Sequence, residues 1–141
     1  MLDSGLSDWV ADEESLARFL TQSDQFGKSK QTPPSIVAKA PAFMPYPKYK
    51  NTSVFRKKRE CPELKDIWNS VNTAGRSLKA IAFLRAGHVR QARLEVGPEE
   101  PPPAHANIEA WPWFDNDARM QKSEQLELAS QLAAASDVIL I

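Results

Sequence analysis

Residues 52–75, TSVFRKKRECPELKDIWNSVNTAG, change hydrophobic character halfway along. The first five, TSVFR, are rich in β-branched and aromatic side chains, which fit the pleated surface of a strand. After the basic run Arg56–Arg59 the pattern turns helical: Leu64, Ile67, Trp68 and Val71 recur at i, i+3, i+4 and i+7 and mark one face. Pro62 suits a first helical position, where its missing N–H costs nothing, and Gly75 can supply a left-handed cap. A strand followed by an amphipathic helix, with no regular βαβ alternation and no internal repeat in the rest of the chain, predicts an α+β fold.

Toward the C-terminus, KAIAFL and LEV within 78–96 read as short strands or helical turns, with Gly87 and HVRQAR between them. Periodicity does not separate a short buried strand from a short buried helix. GPEEPPP at 97–103 is a loop by its prolines. Asp115 to Ala135 is a second helix, capped by Asn116 or Asp117, with Leu128, Leu132 and Ala135 at helical spacing. DVILI at 137–141 is suited to a final strand.

Toward the N-terminus, Leu6, Trp9, Val10, Leu16, Ala17 and Leu20 recur at spacings of three and four, which predicts a short acidic helix over Leu6–Leu20. Residues 27–50 hold five of the eleven prolines and must run extended or irregular. Ile36, Val37, Phe43, Met44 and Tyr46 make this stretch an arm over the body, since a free tether carries few such residues. The expected organisation is one small domain: an acidic helical segment at 1–26, a proline-rich arm at 27–50 and an α+β core at 51–141. Two to three helices pack on a small sheet.

At 141 residues such a domain can bury a core without staples, and its single Cys61 has no internal disulfide partner. No run approaches the roughly 18 apolar residues of a membrane span, and the acidic N-terminus lacks the basic start and apolar stretch of a secretory signal. A cytoplasmic protein without membrane attachment is expected. No Cys/His cluster offers a metal site, and Asp115, Asn116 and Asp117 are already explained by helix capping. Phosphate-loop, dinucleotide, zinc-protease and serine-elbow motifs are absent, so no cofactor is expected and an enzyme is the weaker reading.

Charge is sorted into blocks although 18 basic and 18 acidic residues cancel. Residues 1–24 carry six acids against Arg18 alone, and 95–141 carry nine acids against Arg119 and Lys122. Between them, 25–94 hold fifteen Lys and Arg against Glu60, Glu63 and Asp66. Arg56, Lys57, Lys58 and Arg59 lie near Tyr49 and Phe55, and Arg76 and Arg90 follow, a mixture that neutralises phosphates and stacks on unpaired bases. The alternative is that the acidic ends fold back and neutralise the basic middle.

The segment PPPAHANIEAWPW, 101–113, combines stiff backbone, one of two histidines, Asn107 and two tryptophans. His105 is the strongest single candidate for chemistry, with Asn107 to orient it or to contact a substrate, because histidine serves as acid, base or ligand near neutral pH. The competing reading makes His105 structural and lets Ile108, Trp111 and Trp113 fill the core. SVFR at 53–56, PPxHANIxxWP at 102–112 and the Leu/Ala-rich C-terminal helix resemble a group of short bacterial proteins of unknown function. That resemblance groups Arg56, His105, Asn107 and Trp111 in one recurring pattern and implies no activity. Three functions are open. The first is an adaptor whose basic middle, with Tyr49 and Trp111, binds an anionic partner, either nucleic acid or an acidic protein surface. The second is a small phosphate-handling hydrolase or transferase using His105, and the third a toxin-neutralising protein.

Overall fold

The computed structural model describes residues 2–141. Its chain order is β1 (Ser15–Leu20), a 3-10 turn at Ser23–Gln25, β2 (Phe26–Lys28), β3 (Ile36–Ala38), a 3-10 turn at Ala40–Ala42, and β4 (Thr52–Phe55). There follow α1 (Leu64–Val71), β5 (Ala80–Arg85), α2 (Ala86–Gln91), β6 (Glu95–Pro98), β7 (His105–Glu109), α3 (Ala118–Ala135) and β8 (Asp137–Leu140). Six strands form one sheet in the order β6-β7-β4-β1-β5-β8, and β2 and β3 form a separate hairpin. Every pairing is antiparallel. The fold is α+β, as the change of period at 52–75 predicts.

Alternation along the strands sends two sets of side chains to opposite faces. One face carries Leu16, Leu20, Val54, Leu84, Val96 and Ile108 into the main core, which Leu132 and Ala129 of α3 and Val89 of α2 close. The other carries Ala17, Phe19, Ile81 and Phe83 against Leu64 of α1. Each large side chain taken wholly out of water contributes roughly 1.5–3 kcal/mol, so these two layers supply most of the driving force. The α3 helix starts where the sequence places its cap: the Asp117 carboxylate accepts from the Met120 N–H at 2.9 Å.

The N-terminal third departs from expectation. The segment read as a helix over Leu6–Leu20 is irregular up to Glu14 and then becomes β1, a central strand paired with β5 over six residues, Ser15↔Arg85 to Leu20↔Ala80. A strand covered on both faces buries consecutive residues, and Leu16 and Ala17 are both fully buried, so its apolar pattern loses the alternation that identifies a strand. The arm is also more ordered than its prolines imply. It forms the β2–β3 hairpin, and Phe43 lies fully buried in the main core. Neither segment is an appendage to residues 51–141.

Smaller differences concern helix ends. The α1 helix begins at Leu64 after Glu63, so Pro62 lies outside it. Gly75 does adopt a positive φ of 66°, but in the turn closed by Asn72 onto Arg76, after the helix has stopped at Val71. The stiff segment 101–113 is in part a strand: His105–Glu109 is β7, lying between β6 and β4.

Candidate functional site

Of the fifteen Lys and Arg in the basic middle, twelve are exposed, and Arg56, Lys57 and Arg90 are drawn into ion pairs. Arg56 is buried, and its guanidinium grips the Glu14 carboxylate with Nε to Oε1 at 2.9 Å and Nη2 to Oε2 at 3.0 Å. It also donates to the carbonyls of Ser7 and Trp9. Arg90 pairs with Asp12 and Glu95 and lies under the Trp9 ring, 4.1 Å from its centroid. Lys57 pairs with Glu63. The acidic N-terminal segment thus folds back on the basic block, and Arg56 and Arg90 do not face solvent as a patch for an anionic partner. Lys58 and Arg59 are exposed beside Arg85 and His88, yet Glu13, Glu60 and Asp137 line the same hollow and balance them. Trp111 is buried in the main core, its Nε1–H donating to the Ile108 carbonyl, which makes it a packing residue. Tyr49 is exposed at the tip of the 46–51 turn with Tyr46, their ring centroids 5.6 Å apart.

His105 and Asn107 meet a partner that sequence reading does not single out. Strands β4 and β7 pair with Ser53 opposite Asn107 and Phe55 opposite His105. Ser53 and His105 therefore share a face diagonally, and His105 Nε2 lies 2.6 Å from Ser53 Oγ. On the other side of the ring, Nδ1 lies 2.8 Å from the Glu99 carbonyl oxygen. A carbonyl only accepts, so in the neutral imidazole Nδ1 carries the proton and Nε2 presents its lone pair to the Ser53 hydroxyl. Glu99 is fixed in turn: its N–H donates to the His105 carbonyl at 3.0 Å, and its carboxylate accepts from Asn107 Nδ2 at 2.8 Å. The Phe55 ring meets the imidazole edge-on at 5.2 Å. Asn107 and His105 thus both hydrogen-bond Glu99, one at its carboxylate and the other at its carbonyl.

Ser53 and His105 open into a cleft of about 580 Å³. Phe19, Phe55 and Trp68 form an aromatic wall, with Phe19 touching both of the other rings at centroid distances of 5.5 and 5.3 Å. Tyr46 stands at the lip, and Arg18 and Arg76 also line the cleft; among the described residues no carboxylate does. Strands β1 and β4 pair only at Ala17↔Phe55. Beside that single pair Arg18 bridges them, Nη1 donating to the Ser53 carbonyl at 3.0 Å and Nε to the Ala42 carbonyl at 2.8 Å. Desolvation lowers the pKa of this guanidinium to about 10, which leaves it a cation at neutral pH.

Among the described residues, four cationic side chains are less than fully exposed: Arg18, Arg56, Lys57 and Arg90. Three of them pair with carboxylates, and Arg18 has only carbonyls. Of the residues singled out in the sequence, the structure brings His105, Asn107 and Arg76 to this region and assigns Arg56, Arg90 and Trp111 to the architecture. Ser53, Arg18, Phe19 and Trp68 complete the cleft. No protein-family model, no curated protein and no solved structure matches the chain.

Proposed function

We propose that this protein binds a small anionic ligand carrying a planar ring, such as an aryl or nucleoside phosphate, in the Ser53–His105 cleft. The observation that carries this reading is Arg18, a half-buried cation that among the described residues has no carboxylate partner, in a cleft that these line with Arg76 and no acid. Taking a guanidinium out of water costs free energy that an ion pair ordinarily offsets, as Glu14 does for Arg56. At Arg18 that compensation is left to a ligand. Arginine offers a phosphate or carboxylate several donors in one plane, and the Phe19–Phe55–Trp68 wall offers a ring a stacking surface. The anionic partner expected from the charge blocks is retained on this reading, with its site moved from the Arg56–Arg59 run to the cleft.

Calorimetric titration with phenyl phosphate, followed in parallel by tryptophan fluorescence, tests it. Arg18→Met is expected to weaken binding by roughly tenfold or more, since a hydrogen bond to a charged group contributes about 1.5–3 kcal/mol. Arg76→Met, at an exposed residue, is expected to weaken it less. Wild-type protein that takes up no phenyl phosphate, or variants that bind as tightly as wild type, would remove this assignment.

A second reading is favoured by the turn at 46–51, where Tyr46 and Tyr49 are 58 % and 63 % exposed and Lys48 lies over the Tyr49 ring. Exposed rings beside lysines suit stacking on single-stranded nucleic acid, with Tyr46 joining this tip to the cleft. A Lys48→Ala, Tyr49→Ala double substitution, outside the cleft lining, would then weaken binding of a labelled oligonucleotide and leave phenyl phosphate binding unchanged.

A further inference from the structure

We infer that Ser53 is the nucleophile and His105 the general base of a hydrolase acting on phosphate monoesters of ring-bearing alcohols. This rests on the anion-binding reading of the cleft and adds chemistry to it. Three observations converge. The Ser53 side chain is exposed into the cleft, while His105, 9 % exposed, lies behind it with Nε2 2.6 Å from Oγ. A serine hydroxyl is a weak nucleophile until an adjacent base takes its proton, and this contact places that base within hydrogen-bond reach.

The second observation is the fixed tautomer. The Glu99 carbonyl holds the Nδ1 proton, Asn107 holds the Glu99 carboxylate and the Phe55 ring packs against the imidazole, so His105 keeps its lone pair on Ser53. This is the arrangement of nucleophile, base and orienting group that characterises activated serines, with a backbone carbonyl in the orienting place. Glu99 and Asn107 act through His105 and are positioning residues.

The third is Arg18. Its Nη1 is bonded to the carbonyl of Ser53 itself, and its Nη2 makes no hydrogen bond among the described residues. A guanidinium anchored by two carbonyls beside the nucleophile is preorganised to receive the oxygens of a phosphoryl group, where charge must be neutralised during transfer.

The sequence of steps follows. Ser53 Oγ attacks phosphorus, forming an Oγ–P bond as the bond from phosphorus to the ester oxygen breaks. The Oγ proton passes to His105 Nε2 and from there to the departing oxygen, releasing the alcohol. Water then attacks the phosphoserine, giving its proton to Nε2. The P–Oγ bond breaks, Ser53 recovers that proton, and inorganic phosphate leaves. The net change is ester plus water to alcohol plus phosphate, with no oxidant or reductant.

The test uses the full chain with p-nitrophenyl phosphate, reading nitrophenolate release and, by intact-protein mass after rapid acid quench, gain of one phosphoryl group. Wild type is expected to turn over, with the added phosphoryl mapping to Ser53. Ser53→Ala and His105→Gln are expected to lose activity by roughly 1000-fold or more. Ser53→Ala, at an exposed residue, is expected to retain phenyl phosphate binding by calorimetry. Wild type that binds phenyl phosphate but neither releases nitrophenolate nor gains a phosphoryl group overturns the catalytic assignment and leaves the binding site standing. So does turnover that survives in Ser53→Ala, or activity on p-nitrophenyl acetate alone, which would make the group transferred an acyl group. Absence of phenyl phosphate binding overturns both.

Discussion

At the scale of single residues, the chemistry depends on which side chains face one another across strands, and the two outer strands at the β6 edge show how this sets stability. Glu95 and Glu109 are directly opposed in the β6–β7 register. Glu95 is held ionised, its carboxylate pKa lowered by the Val96 N–H and by Arg90. Glu109 has no such partner among the described residues, and burial together with Glu95 and Glu99 raises its pKa above the ordinary 4.5. Above the raised value the folded state alone carries the cost of ionising Glu109. As pH falls through that value toward 4.5, the folded carboxyl protonates before the unfolded one and the cost disappears. Glu109→Gln is therefore expected to stabilise the protein at about pH 7 by about 0.2–1 kcal/mol, the scale of a cross-strand charge pair, and to lose that advantage near pH 4.5. Urea unfolding of both proteins at the two pH values measures it, and a pH-independent difference would contradict it. The same dependence on cross-strand neighbours limited the reading of the site. His105 and Asn107 were visible as a histidine and an amide in stiff backbone. Ser53 was not, because its meeting with His105 depends on β4 pairing with β7 across 52 residues of chain.

At the scale of elements, the helices were the legible part. Helix α3 follows its capping residue and α1 its apolar stripe, because a helix satisfies its backbone locally and writes its buried face into a local period. The strands were legible where one face is wet, as in Thr52–Phe55, whose buried and exposed positions alternate at Thr52, Ser53 and Val54. They were misread where both faces are covered, as in β1. The consequence is testable. If residues 1–26 were a helical appendage, their removal would leave a folded core. In the structure it removes β1 from between β4 and β5, exposing the backbone groups of both strands and the apolar surface that Leu16, Ala17 and Leu20 cover. The chain lacking residues 1–26 is expected to be unfolded or aggregated, by circular dichroism and limited proteolysis, and a stable soluble core would show that β1 is dispensable.

At the scale of the whole molecule, two ion pairs, Glu14–Arg56 and Asp12–Arg90, join the acidic N-terminal segment to the basic middle. Arg56 carries the greater part of this, because its side chain is 1 % exposed and holds the Glu14 carboxylate and two backbone carbonyls from Ser7 and Trp9. Removing one partner of a buried pair leaves the other charge desolvated and unpaired. Arg56→Met is accordingly expected to cost about 3–5 kcal/mol. Lys57→Met, one residue along, breaks a pair whose Glu63 carboxylate is 63 % exposed, and is expected to cost about 0–1 kcal/mol. Adding Glu14→Leu to Arg56→Met should recover part of the loss, since no orphaned carboxylate then remains. The urea midpoints of the four proteins decide the matter. If Arg56→Met costs no more than Lys57→Met, the N-terminal segment is held by β1 alone and Arg56 is free to serve an external anion, as its sequence neighbourhood implies. If the large difference is found, Arg56 is tied to the region of the cleft through its backbone as well as through its side chain. Arg56 donates its backbone N–H to the Ala104 carbonyl, and Ala104 precedes His105, so the residue that fastens the N-terminus also fixes the strand end from which the cleft's histidine projects.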